Sequence, residues 1–263
     1  MKKGLVFFGV LIVLVAGATL YMLSGAGDFI RAQIEQQGSK YLGTTVSVAN
    51  VDLALTDGRM TISNMTVKNP EGFSKANAFS LGAITLDLGE VIDEPKVIQN
   101  ISINAPQILY EVDASGKGNL IALKKNLEAN LPKTDTSAPE PAATEGANPL
   151  VIVENVTISD VRLQLNFEQL STGDLKLDTK SYEVTLPTFN AGAIGQPNGL
   201  PADQVGLAVF NAMLDNVIAA AKSEAKKRLK EEAKKKAKEK LDKEKDKLLD
   251  KAGDKLKGLL GGE

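Results

Sequence analysis

The spacing of apolar side chains changes three times along the chain, and each change marks an element. From Leu5 to Leu23 (LVFFGVLIVLVAGATLYML) there is no charged residue, and only Thr19 and Tyr21 carry polar groups. At about 1.5 Å per residue this run extends roughly 28 Å, close to the hydrocarbon thickness of a bilayer. It predicts a retained N-terminal transmembrane helix over residues 1–25. The alternative is a cleaved signal peptide with Ser24-Gly25-Ala26 as its small-residue site. Lys2 and Lys3 precede the span, and the first basic residue beyond it is Arg31. The positive-inside rule then leaves the N-terminus in the cytoplasm and the bulk of the chain across the membrane. In a diderm bacterium this is a single-pass inner-membrane protein facing the periplasm. Asp28 to Gly43 reads as a short helix: Asp28 can cap it, Phe29, Ile30, Ile34, Tyr41 and Leu42 fall near one face, and Gly43 can stop it.

From Thr44 the period becomes two. Val46 and Val48 alternate, as do Val51, Leu53 and Leu55; Thr56-Asp57-Gly58 supplies turn chemistry, and Met60 and Ile62 resume. Further strands are predicted at Ile84-Leu86-Leu88, Ile101-Ile103, Ile108-Tyr110-Val112, Val156-Ile158, Val161-Leu163-Leu165 and Leu175-Leu177 leading into Val184-Leu186. Short strands with one apolar face, separated by turns, predict a mostly antiparallel sheet over 44–200. Residues 131–149 (LPKTDTSAPEPAATEGANP) have no apolar period and read as a flexible loop inserted in that domain.

One phrase recurs. Ile62-Ser63-Asn64-Met65-Thr66-Val67, Ile98-Gln99-Asn100-Ile101-Ser102-Ile103 and Val153-Glu154-Asn155-Val156-Thr157-Ile158 share the order apolar, any, Asn, apolar, Ser/Thr, Val/Ile. Either a strand-turn-strand unit repeats along a β array, or common strand-edge residues coincide.

The third change comes at Pro201, where a helical period begins and runs toward residue 263. Val205, Ala208, Val209, Ala212, Met213, Val217, Ile218 and Ala221 make a broad apolar face. Beyond Lys222 the face narrows, and Glu224-Arg228, Glu231-Lys235, Glu232-Lys236 and Glu239-Lys243 form acid-before-base pairs, each worth about 0.2–0.5 kcal/mol. Gly253, Gly258, Gly261 and Gly262 predict a frayed end. Four readings stay open for this tail. It is a solvated charge-laced helix, a coiled coil with itself or an envelope protein partner, a contact with an anionic membrane or polymer, or a nucleic-acid binder. The third would use Lys226, Lys227, Arg228, Lys234, Lys235 and Lys236. The fourth is disfavoured by interspersed acids, missing aromatics and the predicted topology, so no nucleic-acid partner is expected.

Composition sharpens this picture. Net charge is −2, but Lys222–Lys257 alone carries 16 Lys/Arg against nine Asp/Glu, a local +7 that leaves −9 elsewhere. The chain has no Cys, His or Trp. That removes disulfides, His/Cys metal sites, catalytic triads and cysteine nucleophiles, and no motif arranges carboxylates, Lys, Ser or Tyr for catalysis. No enzyme activity, catalytic residue, cofactor or metal is expected; a carboxylate hydrolase is the weakest reading.

Leu42-Gly43, Leu55-Thr56-Asp57-Gly58, Asn64, Asn69-Pro70-Glu71-Gly72-Phe73, Ala78-Phe79-Ser80-Leu81-Gly82, Pro106-Gln107-Ile108-Leu109-Tyr110-Glu111 and Asn119-Leu120 stand in an order that resembles the N-terminal part of AsmA-like envelope proteins. The likeness covers roughly residues 1–127. It implies a mainly β fold with α: an N-terminal transmembrane helix, a curved, groove-like and mostly antiparallel sheet, and here a long charged C-terminal helix. It also implies a role in outer-membrane lipid homeostasis, with phospholipid acyl chains against the sheet. The side chains that would face lipid are Ile84, Leu86, Leu88, Ile101, Ile103, Ile108, Tyr110, Val156, Ile158, Leu163, Leu165, Val184 and Leu186. The competing reading of the same alternation is an ordinary closed core under a structural tether. Nine strands at about 4.8 Å span only about 43 Å, which favours an accessory role over unaided bridging of the periplasm.

Overall fold

The alternation beginning at Val46 builds one mixed sheet of eleven strands. They are β1 (Val46–Ser47), β2 (Asn50–Ala54), β3 (Arg59–Lys68), β4 (Asn77–Asp87), β5 (Lys96–Asn104), β6 (Gln107–Glu111), β7 (Leu150–Ser159), β8 (Val161–Asn166), β9 (Ser181–Leu186), β10 (Phe189–Asn190) and β11 (Leu200–Pro201). Among the described residues three α-helices accompany it: α1 (Ala26–Leu42), α2 (Asn119–Asn130) and α3 (Ala202–Leu260). This computed structural model describes residues 25–88, 95–130, 149–171 and 177–260. All but the last residue of the predicted membrane anchor at 1–25, almost all of the predicted loop at 131–149, and Leu175 lie outside the described residues. The chain divides into a β unit (1–171 and 181–221) and a tail unit (172–180 and 222–263).

Most neighbouring strands of the β unit pair antiparallel, but β5–β7 and β6–β8 are parallel. The parallel pairs have a local cause. Ile98 pairs with Val153, Asn100 with Asn155, Ile101 with Val156 and Ile103 with Ile158, a constant offset of 55 residues. The same offset continues across the next strands, from Gln107↔Arg162 to Glu111↔Asn166. Two copies of a strand-kink-strand unit therefore lie side by side in register. Their kinks match as well: Ala105 and Asp160 both take positive φ, 50° and 54°. The Ala105 N–H donates to Ser159 O at 3.0 Å, and the Arg162 N–H to Pro106 O at 2.9 Å.

The recurrent Asn phrase marks where alternation skips one position. In β5, Ile98, Ile101 and Ile103 are all buried, and in β7 so are Val153, Val156 and Ile158. A strict period of two cannot place those three on one side, so the extra residue next to Asn restores the apolar face after the irregularity. In β3 the skipped residue is Asn64 itself, at φ 50°. On the polar side, Thr157 Oγ1 donates to Asn100 Oδ1 at 3.2 Å and Asn190 Nδ2 to Asn155 Oδ1 at 3.1 Å.

Helix α1 buries Ile30, Ile34, Tyr41 and Leu42, whereas Phe29 stays 49% exposed. Its cap differs from expectation: Gly25 precedes the first turn, and Asp28 lies inside it, paired with Arg31 at 3.1 Å. There the carboxylate favours the helix N-terminus without capping it. Gly43 does end the helix, in the left-handed conformation at φ 62°. Gly27 lets α1 approach β2 closely, because a Cβ there would lie 2.4 Å from Val51 O. Glu35 Oε1 and Ser39 Oγ accept the N–H groups of Val48 and Val46 at 2.8 and 2.9 Å, which ties α1 to the start of the sheet.

Helix α2 has no counterpart in the sequence analysis. Leu120, Leu123 and Leu127 are buried, and Asn126 and Asn130 donate to Leu42 O and Tyr41 O at 3.0 and 3.1 Å, satisfying open carbonyls at the α1 C-terminus. Helix α3 starts at Ala202, since Pro201 belongs to β11. It continues through Gly253 and Gly258 to Leu260, so the predicted fraying does not begin at those glycines.

Candidate functional site

Ala202, Val205, Val209, Met213, Leu214, Val217, Ile218 and Ala221 of α3 are buried within the β unit. Each of the Val, Leu, Ile and Met side chains among them contributes about 1.5–3 kcal/mol on burial. The Phe79 and Phe210 rings meet edge-on at 5.6 Å, joining β4 to this part of α3. Lys124 of α2 forms an ion pair with Asp215 of α3. The helix thus covers apolar sheet residues that the resemblance would leave open.

Of the thirteen predicted lipid-facing residues, Leu86, Leu88, Ile101, Ile103, Ile108, Tyr110, Val156, Ile158, Leu163, Leu165 and Leu186 are buried, and only Ile84 and Val184 are half-buried. As the molecule stands, they form a core and not an exposed trough. Burial also raises the Tyr110 phenol above its ordinary value.

A hollow remains between sheet and helix. It measures about 70 Å³, opens partly to solvent, and is walled by apolar residues throughout. Ile84, Leu86, Ile101 and Ile103 line it from the sheet, Val209, Phe210 and Met213 from α3, and Ile34 from α1. The structure therefore gathers four of the predicted residues at one slot and leaves the other nine outside its lining. A cavity of about 150 Å³ with similar walls accepts benzene, so this slot admits only a short stretch of hydrocarbon unless α3 shifts. A second hollow, about 410 Å³, lies on the polar side of the strands among Ser80, Gln107, Arg162, Gln164 and Glu183.

The motifs behind the resemblance converge on a different feature. Glu111, 2% exposed, accepts from Asn69 Nδ2 (3.1 Å), the Ser74 N–H (3.0 Å), Ser74 Oγ (2.6 Å) and Gln169 Nε2 (3.3 Å). Asn119 donates to Asn69 Oδ1 at 2.7 Å and Leu109 O at 2.8 Å, while its own Oδ1 accepts the N–H groups of Glu111 and Leu120. Thr44 Oγ1 donates to Asn69 O at 2.9 Å. Three distant motifs thus meet in one satisfied buried network that joins the loop after β3, the end of β6 and the start of α2. Gly118 leaves room beside it, since a Cβ there would lie 2.7 Å from the Tyr110 ring. The network offers no open position to a ligand, and no group of three Asp/Glu suited to a metal occurs among the described residues. Its sequence trace was the motif order alone; Gln169 carried no signal.

In the tail unit, Lys235 and Lys236 form ion pairs with Asp178, the former at 3.1 Å. Hydrogen bonds from Lys236 and then Lys235 hold the Asp178 carboxyl below its ordinary value, and Asp178 in turn raises both lysines. Arg228 lies 4.0 Å from Glu224 and 3.5 Å from Glu231, and Lys227 lies 3.8 Å from Glu224. Lys226 and Lys234 are exposed and enter no ion pair among the described residues. The six predicted anionic-surface contacts therefore do not act as one group.

Helix α3 is also the one helix, among the described residues, with an apolar window long enough to cross a membrane, and 44% of that window is buried in the protein. No protein-family model, curated protein or solved structure matches the chain.

Proposed function

We propose that the chain is a non-catalytic, inner-membrane-anchored envelope protein of the AsmA-like type, which contributes to outer-membrane lipid homeostasis by holding an acyl chain against its sheet under α3. The apolar slot supports this reading: it is lined by four of the residues that the resemblance implies to face lipid, Ile84, Leu86, Ile101 and Ile103, and its wall offers nothing to a polar ligand. At about 70 Å³ the slot takes a few methylene groups. A full-length tail requires part of the helix to lift from the sheet.

The test is the lipid content of the detergent-purified chain, measured by mass spectrometry beside an Ile84→Trp variant whose larger ring fills the slot. Lipid around the predicted anchor is common to both. Loss of one acyl-bearing molecule per chain in the variant is expected; equal lipid content overturns the proposal.

A structural tether is the second reading, favoured by the burial of eleven of the thirteen predicted groove residues. On that reading α3 completes a permanent core, and the β unit positions the tail for an envelope partner.

A further inference from the structure

One face of the tail-unit part of α3 carries no acidic residue, although acids and bases alternate along its length. The row stepping by three or four residues from Lys227 passes through Lys230, Lys234 and Lys238 to Leu241, Lys245 and Leu248, and ends at Ala252. Every member is exposed, and none is acidic. At 100° per residue the row forms one face extending about 38 Å. Glu232, Glu239, Asp246 and Asp250 fall on the opposite side together with Lys236, Lys243 and Lys247, while Glu231, Asp242 and Glu244 flank the row; Glu232 is buried at 9% exposure. Three of the exposed large apolar side chains, Leu241, Leu248 and Leu249, cluster on or beside this face at 53%, 67% and 69%.

Lysines alone would suit any polyanion, and leucines alone a coiled-coil partner. Their combination fits a boundary: the leucines enter the acyl margin while lysine stems lie along it with their ammonium groups at the headgroups. A coiled-coil seam is a poorer fit, because five of the eight positions in the row are lysine.

We propose that residues 227–252 form an interfacial helix that docks on an anionic phospholipid surface through this Lys/Leu face. The contact differs from the group predicted at residues 226–236: Lys235 and Lys236 are directed to Asp178, and Leu241 and Leu248 become the anchoring residues. The inference is independent of whether the slot holds lipid.

The chain contains no Trp, so Leu248→Trp introduces a single reporter. The full-length variant is reconstituted in vesicles of phosphatidylcholine alone or enriched in phosphatidylglycerol, with brominated acyl chains as shallow quenchers. The expected result in anionic vesicles is a blue-shifted, bromine-quenched emission that reverts between about 0.1 M and about 1 M salt. Adding Lys230→Glu, Lys234→Glu and Lys238→Glu should return quenching to the neutral-vesicle level, since each lysine near such a surface strengthens docking about fivefold. Equal emission in both vesicle types overturns the proposal. So does a blue shift that grows with protein density without bromine quenching, which identifies helix pairing instead.

Discussion

Replacing Glu111 by Ala removes an acceptor that four donors share. The Asn69 amide is buried, and the Ser74 N–H is part-buried at the base of a largely exposed loop. A hydrogen bond to a charged acceptor contributes about 1.5–3 kcal/mol, and leaving a buried neutral donor without a partner costs about 1–3 kcal/mol. Some of this is offset because the carboxylate no longer has to be desolvated, so the expected loss is about 2–3 kcal/mol. Glu111→Gln preserves the shape but sets an amide NH₂ against one existing donor. Since Ser74 Oγ can turn to accept, about 1–2 kcal/mol is expected there. Urea denaturation of residues 25–263, followed by tyrosine fluorescence, checks both values, with Tyr110 as a buried reporter beside the site. The order wild type, Glu111→Gln, Glu111→Ala is required. If Glu111→Ala unfolds within about 1 kcal/mol of wild type, the network is not what joins β6, α2 and the loop after β3.

Gly27→Ala should destabilise the β unit by about 1–3 kcal/mol, because the new Cβ meets the Val51 carbonyl at 2.4 Å and backbone yields less than a side chain; thermal unfolding measures it. Phe210→Ala removes the edge-on contact with Phe79 and enlarges the slot, so stability should fall by about 2–3 kcal/mol while uptake of a fluorescent fatty acid rises. The Asp178 carboxyl is lowered by Lys236 and Lys235, so its contribution is complete above the ordinary value of 3.8 and disappears as pH falls through the lower folded value. Both lysines are raised, so their contribution is complete below 10.5 and lost as pH rises past it. Amide-exchange protection around residues 178–180 should show the acid limb, and Asp178→Asn should abolish it.

Much of the β unit was legible because strands with one covered face leave a period of two, and because Gly43 and Pro201 stand within a residue of the ends they mark. The repeated Asn phrase was informative for a reason its composition hid: it compensates an irregularity, so the apolar face continues across it. Helix α2 left little trace because it is short and its buried apolar residues are only Leu120, Leu123 and Leu127. Alternation showed which side of each strand is apolar but not what covers it. That depended on residues 202–221 lying on the sheet, a pairing of segments more than a hundred residues apart. The same limit applied to the tail, where linear pairs such as Glu231-Lys235 gave no hint that Asp178 binds Lys235 and Lys236.

The proposal that hydrocarbon enters the slot between the sheet and α3 is tested most directly by site-resolved photocrosslinking. The full chain is reconstituted with phospholipid bearing a diazirine near the end of one acyl chain, irradiated, digested and mapped by mass spectrometry. Adducts on Ile84, Phe210 and Met213, absent from buried Leu163 outside the slot, are the predicted result. Adducts confined to residues 1–24 and the exposed face of α3 would contradict it and leave the β unit as a closed scaffold.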